Sequence, residues 1–175
     1  MAEPATWEAT AETIAICTKG HFRYKAESRG AAVKAGQTVY VVDLINWLRP
    51  SDSSLATFKL NGSDLLTIIE ANLGDKPQDE RFLVQVSGCR YRFDRRRPAG
   101  KRIVETDIDA AREYQIACNS SDITRTDTLR LGGYYEKLNH ELLEPNLLST
   151  AWCFAHRNAG RISAKHEGRV AEIQP

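Results

Sequence analysis

No apolar run in this chain approaches the roughly 18 residues that a membrane-spanning helix needs, so a helical membrane protein is not indicated. The opening Met1-Ala2-Glu3-Pro4-Ala5-Thr6-Trp7 lacks the basic and apolar regions of a secretory signal. Nothing in these residues directs export; the chain reads as soluble and its compartment stays unassigned. The four cysteines, Cys17, Cys89, Cys118 and Cys153, contain no CxxC pair, which argues against a zinc site of close ligand spacing. Three of them fall in apolar patterns and read as buried thiols, with one disulfide left open. His21, His140, His156 and His166 are likewise scattered, with no spacing that pairs metal ligands. There is no glycine loop followed by Lys-Ser or Lys-Thr, and Ser28, Ser51 and Ser87 have neither a GxSxG elbow nor a histidine close in sequence. A net charge of +1 removes any global pull toward nucleic acid or membrane.

What is present suits one ordinary domain. A chain of 175 residues with 42% hydrophobic and 27% charged residues can enclose a single core. Thr13 to Cys17 reads as a short buried strand, and Ala56, Phe58 and Leu60 alternate with polar residues as a second. Leu44, Trp47 and Leu48 after Asp43 suggest a short helix that Pro50 ends. Leu65, Ile68, Ile69 and Leu73 form a helical stripe, with Asn61 or Ser63 as cap and Gly74 as the left-handed stop. Phe82 to Asp94 reads as a hairpin in which Gly88 permits a bulge or close packing. Further strands are expected near 102–104 and 114–118. Ser120 to Arg130 reads as a loop. Tyr135, Leu138 and Leu142 give a helix running to Pro145, and Leu147 to Ala155 a last one. Strands and helices mix without strict alternation, so the expected class is α+β, a single domain over 1–175 with a mixed β-sheet packed by helices.

Several tracts carry a resemblance. Gly36-Gln37-Thr38-Val39-Tyr40-Val41-Val42-Asp43-Leu44, Leu48-Arg49-Pro50 and Leu60-Asn61-Gly62-Ser63-Asp64-Leu65 precede Phe82-Leu83-Val84-Gln85-Val86-Ser87-Gly88. Pro98-Ala99-Gly100-Lys101-Arg102-Ile103-Val104, Tyr114-Gln115-Ile116-Ala117-Cys118-Asn119 and Gly132-Gly133 follow. In order and wording, over about 13–161, these resemble the C-terminal, substrate-binding domain of the 5'-nucleotidase family.

The resemblance implies a division of labour. In that family a separate N-terminal metallophosphatase domain holds two divalent metal ions, so this chain is expected to have no cofactor of its own and a metal-bearing partner in cis. Asn139-His140-Glu141 superficially matches a metallophosphatase triplet, but it sits in the expected amphipathic helix and reads as a surface histidine. The family's arginine that meets the nucleotide aligns with Arg23, in a turn where Thr18 stands for asparagine and Gly20 is kept while Lys19 and His21 replace glycines. A guanidinium beside such a turn suits phosphate or carboxylate oxygens.

The family's two base-stacking rings fall on Ser51 and on Ser120, the residue after Asn119. Gly132 and Gly133 are kept, and Tyr134 stands where the family has an acidic residue. Substrate contacts are therefore expected from Arg23, Thr18, Gly20, Ser51, Asn119, Gly132, Gly133 and Tyr134. The two missing rings would each remove on the order of 1–3 kcal/mol of stacking.

The expected role is the substrate-binding part of a nucleotide or related phosphate-ester hydrolase, with a divergent nucleoside pocket and no activity alone. The alternative is a non-catalytic structural or protein-interaction module that keeps the fold. Arg90, Arg92, Arg95, Arg96, Arg97, Lys101 and Arg102 cluster with Tyr91 and Phe93, a pattern compatible with nucleic acid. Nearby Asp94, Glu105 and Asp107 favour instead a solvated hairpin end whose charge they offset.

Overall fold

A computed structural model describes residues 13–18, 36, 38, 40, 54–74, 83–120, 122, 141–146 and 167–173. Its elements are β1 (Thr13–Thr18), β2 (Ser54–Asn61), α1 (Gly62–Asn72), β3 (Val84–Ser87), β4 (Tyr91–Phe93), β5 (Ile103–Thr106), β6 (Glu113–Asn119), β7 (Glu141–Asn146) and β8 (Val170–Glu172). The class is α+β, as expected, but the strands form two sheets rather than one. A five-stranded mixed sheet runs β3-β1-β6-β2-β7, and a three-stranded sheet runs β5-β4-β8. The expected helix at 44–48, the last helix at 147–155 and Cys153 lie outside the described residues.

Period-two patterning builds the larger sheet. Ile14 and Ile16 of β1, Ala56, Phe58 and Leu60 of β2, Val84 and Val86 of β3, and Tyr114, Ile116 and Cys118 of β6 all point into the core. α1 lies in that core with Leu65, Ile68 and Ile69, followed by Leu73, all buried. Each such side chain contributes about 1.5–3 kcal/mol when removed from water.

The start of α1 is not capped by a side chain. Asn61 holds an extended N-cap conformation without a capping bond, and the first amides go instead to the preceding loop of β6. Gly62 N–H donates to Arg112 O at 2.8 Å, and Ser63 N–H to Ala110 O at 3.0 Å. That close approach requires glycine, because a Cβ at position 62 would stand 2.0 Å from Asp109 O.

The far end of α1 also departs from expectation. Gly74 is not among the glycines of positive φ; the turn closes by Leu73 N–H to Glu70 O at 3.1 Å and by Asn72 Nδ2 to Ile68 O at 2.8 Å. The carbonyls beyond receive arginines: Arg102 Nη1 donates to Leu73 O, and Arg95 Nη1 to Gly74 O at 3.3 Å. Cations at a helix C-terminus also suit its dipole.

The tract from Val84 to Phe93 is not a hairpin. β3 belongs to the larger sheet and β4 to the smaller, and the chain changes sheets through Gly88, whose φ is 90°. A Cβ there would lie 2.4 Å from Thr13 O, so close packing against β1 fixes this position as glycine. Tyr91 spans the junction, its hydroxyl donating to Val84 O at 2.6 Å. The true antiparallel partner of β4 is β5, while β8 joins β4 in parallel.

Of the helix expected from Tyr135 to Pro145, residues 135–140 lie outside the described residues, and the part from Glu141 is a strand instead. Glu141–Asn146 pairs antiparallel with β2 at the sheet's edge, and the register slips between Leu55↔Leu143 and Ser54↔Asn146. Glu144 and Pro145 fall in that irregularity, where an imide without N–H costs no ladder bond. Leu142 therefore belongs to β7, as does Glu141 of the Asn-His-Glu triplet.

Candidate functional site

β1 and β6 are parallel neighbours, with Ile14 opposite Ile116 and Ala15 opposite Ala117. Their carboxyl ends therefore share one end of the five-stranded sheet. β2 runs the other way and begins there, since Leu55 pairs with Asn119. Two expected contact residues close these strands: Thr18 is the last residue of β1 and Asn119 the last of β6. Carboxyl ends of adjacent parallel strands are a common place for ligand crevices.

Both residues are buried, Thr18 at 0% and Asn119 at 4% exposure. Strand alternation sends them to opposite faces, Thr18 with Ile14 and Ile16, Asn119 with Ala117. The Thr18 hydroxyl has no hydrogen-bond partner among the described residues, an arrangement that costs about 1–3 kcal/mol. Arg23, Gly20, Ser51, Gly132, Gly133 and Tyr134 lie outside the described residues.

The structure adds a residue that the sequence reading passed over. Ser120 and Asp122 are helical, not loop, and Asp122 is only 1% exposed. Its place can be read from electrostatics: burial first, and then the Asp122 charge, push the Cys17 thiol up to about 12 and the Cys118 thiol well above its ordinary range. The carboxylate therefore stands near the ends of both β1 and β6. The signal for it was Asn119 followed three residues later by an acidic side chain, an N-cap pattern at the end of a strand.

Chemically this end offers a hydroxyl, an amide, a carboxylate and two protonated thiols. Burial disfavours the thiolate of Cys17 and Cys118, which argues against either as a nucleophile. Cys17, Cys89 and Cys118 are all free, and Cys89 is also pushed up to about 12, chiefly by burial. Among the described residues no group of three or more His, Cys, Asp or Glu side chains could hold a metal ion. A two-metal centre does not fit them.

Part of the arginine-rich tract is committed internally. Arg92 pairs with Glu105 at 3.0 Å, Arg95 with Glu172 at 3.1 Å, and Arg96 grips both carboxylate oxygens of Asp94 at 2.8 Å. Asp107 accepts the Arg90 amide at 2.7 Å. Asp94 and Glu105 thus pair with guanidinium groups while Asp107 takes a backbone amide, and Arg102 is not solvated; at 6% exposure it serves the end of α1.

Comparison with known proteins bears on the same elements. The family model described as 5'-nucleotidase, C-terminal domain, matches residues 2–127. No curated protein sequence matches the chain. Among solved structures, a 5'-nucleotidase precursor from Thermus thermophilus superposes with a TM-score of 0.70 at 20% identity, over 93% of this chain and 32% of its own. The NAD nucleotidase of Haemophilus influenzae gives 0.71 at 16% identity, over 94% of this chain and 31% of its own. A sulfate thiohydrolase, also from Thermus thermophilus and bound to glycerol, gives 0.63 at 20% identity, over 93% and 29%. The chain thus spans about a third of the length of these structures, and they share its fold.

Proposed function

Because this chain belongs to the 5'-nucleotidase C-terminal domain family, we propose that it is the substrate-binding part of a hydrolase acting on nucleotides or related phosphate esters. The family match carries this reading. It is supported by the sheet end where β1 and β6 finish side by side and where Thr18, Asn119 and Asp122 are buried. In this reading Arg23 meets the phosphate or another anionic group, and Gly20, Ser51, Gly132, Gly133 and Tyr134 complete the pocket. Phosphate-ester cleavage would fall to an N-terminal metallophosphatase domain in cis, whose two divalent ions would activate water when bound.

The nucleoside pocket is divergent. Ser120 follows Asn119 directly, so one stacking ring is replaced by a hydroxyl. That observation also favours the second reading, a module that keeps the fold for structural or protein-binding use.

Calorimetric titration of the purified chain with AMP and adenosine separates the two. Weak AMP binding that Arg23→Ala abolishes is the expected result. Submicromolar AMP binding would overturn the divergent pocket, and no binding of any phosphate ester, even with a metallophosphatase domain attached, would favour the module.

A further inference from the structure

α1 and β5 do not close fully on each other. Between them runs an open groove of about 510 Å³, within the ~300–1,000 Å³ typical of ligand pockets. Leu66 and Ile103 make it apolar, and Thr67, Glu70, Glu105 and Thr106 supply its polar walls. None of these belongs to the sheet end of Thr18, Asn119 and Asp122.

Three observations say what would fill it. The first is Glu70: its Oε1 accepts the Ile103 amide at 2.6 Å, while Oε2 is shielded from solvent and accepts no bond among the described residues. A shielded carboxylate oxygen without a donor is costly, and a donor brought by a ligand would remove that cost. The second is the charge of the walls, which include two glutamates and no lysine or arginine. Glu105 meets Arg92 outside the groove, whereas Glu70 has no cation among the described residues.

The third is the edge of β5. This strand has β4 on one side and no strand on the other among the described residues. Tyr91 donates its amide to Arg169 O on the β8 side and stands opposite Thr106 in the β4–β5 ladder. Thr106 is therefore in a non-bonded pair and turns its own backbone N–H and C=O outward.

We propose that this groove docks an extended segment of another polypeptide in which apolar and basic residues alternate. Laid beside β5, such a segment takes main-chain bonds at Thr106, places its apolar side chains on Leu66 and Ile103, and brings a lysine or arginine to Glu70. Acidic segments and nucleic acid meet like charge at Glu70, whose charge no cation among the described residues offsets.

The test is an NMR titration of the full chain with an acetylated Val-Lys-Val-Lys-Val peptide, with Val-Glu-Val-Glu-Val as control. The basic peptide is expected to shift the amides of Ile103 to Thr106 saturably, and the acidic one to leave them unmoved. Glu70→Gln keeps an acceptor for the Ile103 amide and should weaken binding about tenfold, the scale of one charge-assisted bond. Thr67→Arg, at an exposed helix position, should block the groove even where Glu70→Gln disturbs folding. Equal binding of both peptides, shifts confined to other regions, or no shift at millimolar peptide would overturn the proposal. So would concentration-dependent shifts of the same amides without peptide, which would assign the groove to a second copy of this chain.

Discussion

Thr18 carries a hydroxyl that finds no partner among the described residues in a fully buried position. Replacing it with isosteric valine removes the desolvated oxygen without opening a cavity, so Thr18→Val should raise unfolding stability by about 1 kcal/mol in urea melts. A loss instead would show that the hydroxyl is engaged. At the surface, the Arg96 guanidinium bonded to Asp94 holds that carboxyl down at about 2, against 3.8 ordinarily. The pair's contribution is present above 3.8 and is lost as pH falls through about 2. In Arg96→Ala, carboxyl-detected NMR should show the Asp94 midpoint moving up toward 3.8, with no change in fold.

The elements show where local sequence suffices and where it does not. α1 was legible because its stripe of Leu65, Ile68, Ile69 and Leu73 satisfies a rule internal to the helix, and β2 and β6 were legible from their alternation. Its ends were not legible, since the amides of Gly62 and Ser63 and the carbonyl of Leu73 find partners far along the chain, at Arg112, Ala110 and Arg102. The same blindness made β3 and β4 look like a hairpin: two alternating runs around a glycine have that appearance whether or not they pair. The candidate site was legible only through family resemblance for Thr18 and Asn119, while Asp122 lay hidden in a tract whose serines and threonines resembled a loop. Arg102 gives this scale its prediction. Arg102→Leu leaves the Leu73 and Arg97 carbonyls without their donor and should cost about 1.5–3 kcal/mol in chemical denaturation. Arg102→Lys should recover only part, because one ammonium cannot reproduce the guanidinium fork.

At the scale of the whole molecule, the core and the sheet end are one structure, since Cys17 and Cys118 sit where β1 and β6 meet and feel the same buried Asp122. Thiol reagents at pH 8 should therefore label Cys17, Cys89 and Cys118 only at the rate of opening, with peptide mapping showing protection that collapses at the denaturation midpoint. Early labelling of Cys17 alone would mean that β1 leaves the sheet independently. The pairing of β1 with β6 has a further consequence for how the chain is made. Thr13 sits beside Gln115, and Tyr91 beside Val170, so neither sheet can be finished by segments that leave the ribosome early. β1 can pair with β3 once Val84–Ser87 has emerged, but its other edge stays open until β6 has been translated, which makes it a natural client for chaperones during synthesis.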